Sequence, residues 1–288
     1  MRGYLVSGFS LLGVVFFSVC LFLSDNLSFF WLFLELGTLS LVPSFFLRRG
    51  VFTLDSLFSY LVVSSVSSSM IVCGLLFEGV LFLVVVGLFI KFGLFPFLGW
   101  IYSVVVGSNW FVVWGFSTFL KSPFLFLCFF LSAGVFSLVN WLCVVTFLVL
   151  GFMFWVYSFS WYHCWCHMMV SSSAALVAMS FVLSGDVLFW LYCVYLVWAT
   201  LVVFFLSSLE GMHLSGQGVC FVFVFLLVSF PFTLSVFYKL VMGFCVYSCF
   251  FYVFLGWVFY SVSEQLYLVK YLVGYGVPLS CGSVLRLV

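Results

Sequence analysis

The sequence predicts an all-α polytopic membrane protein, and three observations lead to this fold class. Of 288 residues, 67% are apolar and only 5% are charged. The mean hydropathy of +1.44 lies far above the range of soluble globular domains. The apolar stretches are continuous, whereas a membrane β-barrel consists of alternating segments of roughly ten residues. Because a membrane helix needs roughly 20 apolar residues, the chain has room for about ten or eleven spans in one transmembrane domain covering residues 1–288.

Polar and charged interruptions divide the chain into eleven candidate spans. The first follows Met1 and Arg2 directly, and its apolar run is too long for the core of a signal peptide, so we expect it to remain as the first helix. The sequence leaves open whether the last span crosses the membrane fully. The candidate spans lie near residues 3–23, 27–47, 54–77, 79–106, 110–131, 134–159, 166–184, 187–208, 218–243, 245–262 and 266–287.

The basic residues predict an orientation for this set of spans. One side of the membrane collects Arg2, Arg48, Arg49 and Lys270, and the other has Arg286. The positive-inside rule then places the N-terminus on the matrix or cytoplasmic side. The net charge of +1 provides no basic surface for nucleic acid, so we expect no nucleic-acid partner.

Four ionisable residues fall inside predicted spans. They are Glu35, Lys91, Lys121 and Lys239, in spans two, four, five and nine. A lysine at the centre of a membrane helix costs about 3 kcal/mol, so such residues are candidates for function. Snorkelling to the membrane surface or a static ion pair is the alternative. We expect the other acidic and basic positions in loops: Asp25, Arg48, Arg49, Asp55, Glu78, Asp186, Glu210 and Glu264.

A proline accompanies each of the three lysines. Pro96 follows Lys91, Pro123 follows Lys121, and Pro231 precedes Lys239. A proline removes a backbone hydrogen bond, and the carbonyls it frees are tolerated at membrane depth only beside protein or water. Broken helices beside ionisable groups are how transporters form ion sites, although an ordinary packed kink would also use proline.

A lysine that faces a carboxylate keeps its proton and releases it when the pair separates. The four residues together therefore predict a switchable proton carrier. A purely structural membrane scaffold is the rival interpretation.

Four segments resemble the antiporter-like subunits of respiratory complex I. WLFLELGTLSLVP (31–43) is similar to the glutamate-bearing helix of that family, and KFGLFPFLGW (91–100) to its first lysine segment. STFLKSP (117–123) resembles the family's Ser-Thr-x-x-Lys segment, and PFTLSVFYKL (231–240) its late broken helix. The ordered set of one glutamate and three lysines is the specific part of this resemblance.

The resemblance implies an antiporter-like fold that lacks the three leading helices of bacterial relatives, and it implies a role for each charge. Glu35 would tune its partner Lys91, Lys121 would be the central relay, and Lys239 would lie nearer the exit side or the next subunit. It also implies no cofactor in this chain, with NADH, FMN, iron–sulfur clusters and ubiquinone in partner subunits. The expected partners are other membrane-arm subunits, including neighbouring antiporter-like subunits, and membrane lipids. The expected location is the mitochondrial inner membrane. A free-standing cation/proton antiporter is the alternative function.

The sequence departs from the family pattern at several positions. Leu98 and Leu176 stand where relatives carry histidine, Leu176 in the segment SSSAAL (171–176), and Ser235 stands for a glycine. Pro123 is one residue closer to Lys121 than usual. The resemblance therefore leaves the detailed proton route open.

Three further motifs have structural interpretations. YHCWCH (162–167) contains two His and two Cys, but its spacing matches no zinc pattern, and we expect interfacial residues at a membrane boundary. GYGVP (274–278) is interpreted as a turn or helix break rather than a potassium filter. VVSSVSSSM (62–70) is interpreted as a small-residue surface that lets helices approach closely.

Overall fold

The protein is described here by a computed structural model. It covers residues 2–24, 26–47, 51–77, 80–122, 136–210 and 217–276, and these ranges contain helices and no β-strand. The twelve α-helices in them are α1 Arg2–Phe22, α2 Leu27–Phe45, α3 Val51–Leu76, α4 Leu81–Phe92, α5 Gly99–Gly107, α6 Trp110–Ser117, α7 Phe136–Val156, α8 Trp161–Ser180, α9 Gly185–Leu209, α10 Gln217–Leu226, α11 Leu234–Tyr247 and α12 Phe251–Gly276.

The fold confirms an all-helical polytopic membrane protein with broken helices. Five helices in the described ranges are long and apolar enough to cross a membrane, namely α1, α2, α3, α7 and α9. Their outer faces carry exposed aromatic and aliphatic side chains, such as Phe9 at 73% and Phe152 at 63% exposure. A surface this apolar fits a hydrocarbon environment.

Two predicted spans are each divided in two by a break. Span 79–106 forms α4 and α5, and span 218–243 forms α10 and α11. Span 110–131 begins as α6 and continues into a 3-10 turn, Phe119–Lys121, while its remainder, with Pro123, lies outside the described residues. The breaks near Pro96 and Pro231 were therefore predicted at the correct places, and a break at Pro123 stays a prediction.

The division of the C-terminal region was wrong. Spans 245–262 and 266–287 were separated at a polar stretch, but α12 runs through that point from Phe251 to Gly276. Glu264, expected in a loop, lies inside this helix and is 4% exposed. Residues 277–288, which include part of GYGVP, lie outside the described ranges.

The other loop predictions have mixed outcomes. Asp55 and Asp186 are exposed residues near the starts of α3 and α9, so they are helical rather than in loops. Glu210 lies in the turn that follows α9, as predicted. Asp25, Arg48, Arg49 and Glu78 fall outside the described residues. The side of the membrane on which the N-terminus lies stays a prediction.

The break between α4 and α5 is stabilised by its own side chains. Gly93 ends α4 in the left-handed conformation, with φ of 57°, and a Cβ there would lie 2.1 Å from Ile101 Cδ1. Trp100 Nε1 donates to the carbonyl of Ile90 at 2.8 Å. The Ile90 carbonyl, which also accepts from the Gly93 N–H at 3.1 Å, therefore has two donors inside the protein.

Side chains of α9 donate hydrogen bonds to backbone carbonyls at the other two breaks. Tyr192 and Tyr195 donate to the carbonyls of Thr118 and Ser117, at 2.9 and 2.8 Å, where α6 passes into the 3-10 turn. Trp198, one turn further along α9, donates to the carbonyl of Leu226 at the end of α10, at 3.1 Å. One helix therefore fixes the backbone beside Lys121 and the backbone of the break before Lys239.

Candidate functional site

Glu35 lies in the middle of α2 and is half-buried against α3. Its carboxylate accepts a hydrogen bond from the hydroxyl of Ser68. Ser64, one turn earlier on α3, lies on the same side as Ser67 and Ser68, since residues three and four apart share a helix face. These serines come from the stretch 62–70, which the sequence had suggested was only a packing surface.

Lys91 lies in the last turn of α4, immediately before the break, and is 9% exposed. Its ammonium makes no hydrogen bond to any described residue. Glu35 acts on it electrostatically, but no ion pair within 4.0 Å joins the two among the described residues. The structure therefore brings the predicted pair into one region without direct contact.

A cavity of about 30 Å³, here called the Lys91 cavity, joins the first two lysines. A water needs about 10–15 Å³ of such space and two or more polar partners, so about two waters fit here. Its polar lining consists of Thr38, Tyr60, Ser64, Ser67, Trp100, Ser173, Lys91 and Lys121.

Lys121 is the last residue of the 3-10 turn and is 4% exposed. Its ammonium donates to the carbonyl of Met169 and the hydroxyl of Ser172, both at 2.7 Å, and to the hydroxyl of Tyr195 at 3.0 Å. An ammonium has three N–H donors, and all three are used. Lys121 is therefore held by neutral groups of α8 and α9.

Lys239 forms an ion pair with Glu264 across α11 and α12, at 2.8 Å between Nζ and Oε1. The two side chains are 13% and 6% exposed. This is the one ion pair within 4.0 Å among the residues that the structure describes. Sequence reasoning missed Glu264 because it lies in the polar stretch SVSEQ (261–265), which was interpreted as a loop.

A second cavity of about 20 Å³, here called the Lys239 cavity, adjoins this pair and has room for one water. Its polar lining consists of Ser171, Ser172, Trp198, Tyr238, Trp257, Tyr260, Ser261, Lys239 and Glu264. Helix α8 therefore lies between the two cavities, because Ser173 lines the Lys91 cavity and its neighbours Ser171 and Ser172 line the Lys239 cavity.

The segment YHCWCH forms the first turns of α8, and its position at a membrane boundary stays a prediction. His167 is buried and bonds to the hydroxyls of Tyr102 at 2.5 Å and Ser158 at 3.1 Å. His163 bonds to the hydroxyl of Ser160 at 2.8 Å. Within the described ranges, no group of three His, Cys, Asp or Glu side chains is arranged to hold a metal ion.

The fold and its charges define a polytopic membrane protein whose helix breaks each carry or adjoin a buried lysine. No family model and no curated protein matches the sequence. Among solved structures, the chain is similar to a chain of the respiratory complex I from Thermus thermophilus with bound aureothin. The TM-score is 0.73 at 19% identity, over 92% of this chain and 68% of that one. At this identity the likeness establishes a shared fold.

Proposed function

We propose that the chain is a proton-translocating, antiporter-like subunit in the membrane arm of respiratory complex I. Its fold is similar to that of a complex I chain, and Glu35, Lys91, Lys121 and Lys239 occur in the order of the antiporter-like subunits. The amino-acid sequence of the glutamate segment, residues 31–43, resembles that of subunit 2 of the mitochondrial NADH dehydrogenase and supports this subunit as the specific counterpart. The location would then be the mitochondrial inner membrane, with the N-terminus in the matrix.

The connection between the three lysines is the observation that carries the proposal. Lys91 and Lys121 line one cavity, and the hydrogen-bond partner of Lys121, Ser172, lines the next cavity with Lys239. Charged groups, hydroxyls and space for water thus follow one another through an otherwise apolar bundle. Such a series suits proton transfer, because hydroxyls and water both donate and accept hydrogen bonds.

The three lysines differ in what surrounds the ammonium. Lys91 has no hydrogen-bond partner among the described residues, Lys121 has three neutral partners, and Lys239 has a carboxylate. We assign Lys121 the role of central relay because it lines the Lys91 cavity and also bonds to Ser172, which lines the Lys239 cavity. Glu35 acts on Lys91 from a distance, so movement of α2 against α4 would change that interaction.

In this proposal, electrons do not enter the subunit. NADH, FMN, iron–sulfur clusters and ubiquinone belong to partner subunits, whose redox reaction drives the protons. The partners would be the other membrane-arm subunits, including neighbouring antiporter-like subunits, and membrane lipids.

The test is NADH-driven proton translocation by the purified complex in liposomes, with this chain carrying Lys121→Met. We expect the variant complex to assemble and to translocate fewer protons per NADH than the wild-type complex. Lys270→Met is the matched control, because Lys270 is exposed near the end of α12 and lies over the ring of Trp155 at 5.4 Å. A normal proton count with Lys121→Met would overturn the relay role.

A second measurement separates this proposal from a free-standing cation/proton antiporter. We expect the chain to copurify with a peripheral arm that contains flavin and iron–sulfur clusters. A chain that purifies without that arm and exchanges a metal cation for protons would support the antiporter.

A further inference from the structure

The run Ser171–Ser173 lies where α8 passes between the two cavities. Successive residues of an α-helix point about 100° apart, so a short run can present side chains to spaces on two sides of the helix. Ser173 faces the Lys91 cavity, whereas Ser171 and Ser172 face the Lys239 cavity. The run therefore has side chains at both cavities.

Ser172 combines two contacts that no other described residue combines. Its hydroxyl accepts from Lys121 Nζ at 2.7 Å, and the same side chain lines the cavity that holds Lys239 and Glu264. The other two hydrogen-bond partners of Lys121 cannot pass a proton from Lys121 to the Lys239 cavity. The carbonyl of Met169 has no proton to pass on, and the hydroxyl of Tyr195 donates to the carbonyl of Ser117 at 2.8 Å and does not line the Lys239 cavity.

The hydroxyl of Ser172 also has a resting position. It donates to the carbonyl of Met169 at 2.7 Å, one turn earlier on α8. Rotation about a single side-chain torsion turns its O–H away from that carbonyl. Ser172 is 4% exposed, so no bulk water competes for this proton.

We propose that Ser172 carries the proton between Lys121 and the Lys239–Glu264 pair. This inference rests on the proposed function.

The transfer conserves protons and charge. An N–H bond of the Lys121 ammonium breaks as Ser172 Oγ gains that proton, and the original Ser172 proton leaves towards the Lys239 cavity. One water, for which the cavity has room, passes a proton on to the Glu264 carboxylate. Lys121 ends as a neutral amine, Ser172 is again a hydroxyl, and Glu264 is neutral. Lys239 then lacks its counter-charge, which favours release of its own proton.

The inference is tested with Ser172→Ala in the complete complex, measured by NADH-driven proton translocation in liposomes. We expect proton translocation to fall about a hundredfold or more, since a positioned proton-transfer group contributes roughly 10²–10⁴-fold. Ser172→Thr keeps the hydroxyl and is expected to restore most of the activity.

Ser180→Ala is the matched control. Ser180 lies on the same helix, is 5% exposed, and donates to the carbonyl of Val177 at 2.7 Å in the same geometry as Ser172, but it lines neither cavity. A solvent isotope effect separates transfer from structure. The ratio of rates in H₂O and D₂O is expected to rise in Ser172→Ala and to stay at the wild-type value in Ser180→Ala.

The outcomes separate this inference from the proposed function. Normal pumping by Ser172→Ala beside inactive Lys121→Met would overturn the inference alone, whereas normal pumping by Lys121→Met would overturn the proposed function. If Ser172→Ala does not assemble, Ser172→Gly, which also removes the hydroxyl, takes its place with the same two outcomes.

Discussion

The ion pair between Lys239 and Glu264 gives the sharpest prediction for stability. Glu264→Gln keeps the size of the side chain and removes its charge, leaving the ammonium of Lys239 beside a neutral amide. Removing one partner of a buried ion pair costs 3–5 kcal/mol. We expect about 3 kcal/mol, at the lower end of that range, because the adjoining cavity of about 20 Å³ can admit a water.

A double-mutant cycle isolates the interaction of the pair. Lys239→Met alone leaves a carboxylate without its cation, and the double variant Lys239→Met/Glu264→Gln leaves no charge to compensate. We therefore expect the double variant to lose less stability than the sum of the single variants, with a coupling energy of about 2 kcal/mol. The free energy of unfolding is measured on the purified full chain in mixed detergent micelles.

Glu210→Gln is the control for this cycle. Glu210 is an exposed carboxylate that accepts from the indole of Trp110 at 2.8 Å and from Tyr162 at 3.3 Å. Because it has solvent around it, the substitution is expected to cost less than about 1 kcal/mol. A Glu264→Gln protein as stable as the wild type, or single effects that simply add, would refute a buried, energetically coupled pair.

Three further variants test the breaks and the packing around the lysines. Trp100→Phe removes one of the two donors to the Ile90 carbonyl, which keeps the Gly93 N–H, and should lower the unfolding free energy by about 0.5–1.5 kcal/mol. Trp190→Phe, at a position 57% exposed on α9, should change it little; equal effects would contradict the assigned hydrogen bond. Tyr195→Phe leaves the Ser117 carbonyl and one Lys121 donor unpaired, so we expect a loss of about 1–3 kcal/mol together with slower proton translocation; unchanged thermal stability of the complex would argue against both contacts. Gly87→Ala would place a Cβ 2.8 Å from the Ser67 carbonyl and should destabilise α3 against α4 by about 1–3 kcal/mol; Gly8→Ala meets nothing within 4 Å, and an equal loss there would refute the steric reason.

Composition and local pattern were sufficient to predict the fold class and the positions of the helix breaks. Hydrophobic runs define membrane helices, and the prolines near Lys91 and Lys239 mark where the backbone must leave the helix. Both signals are local in sequence. The roles of the four predicted charges stay predictions, and the structure supplies their surroundings.

The parts that the sequence did not reveal depend on contacts between distant segments. Glu264 was assigned to a loop because a polar stretch looks costly in a membrane helix, yet its charge is compensated by Lys239, 25 residues earlier. The serines at 64, 67 and 68 were similarly interpreted as packing residues. Their spacing of three and four does indicate one helix face, and that signal, set beside Glu35, could have identified a polar lining.

The position of α9 has a mechanical consequence. Tyr195 holds the carbonyl beside Lys121, and Trp198, one turn away, holds the carbonyl at the end of α10, so the two breaks share one rigid support. An axial slide of α9 by a single residue rise, about 1.5 Å, would lengthen both hydrogen bonds at once. The two broken segments are therefore coupled through α9. A displacement of either one that carries α9 along its axis also strains the hydrogen bond to the other.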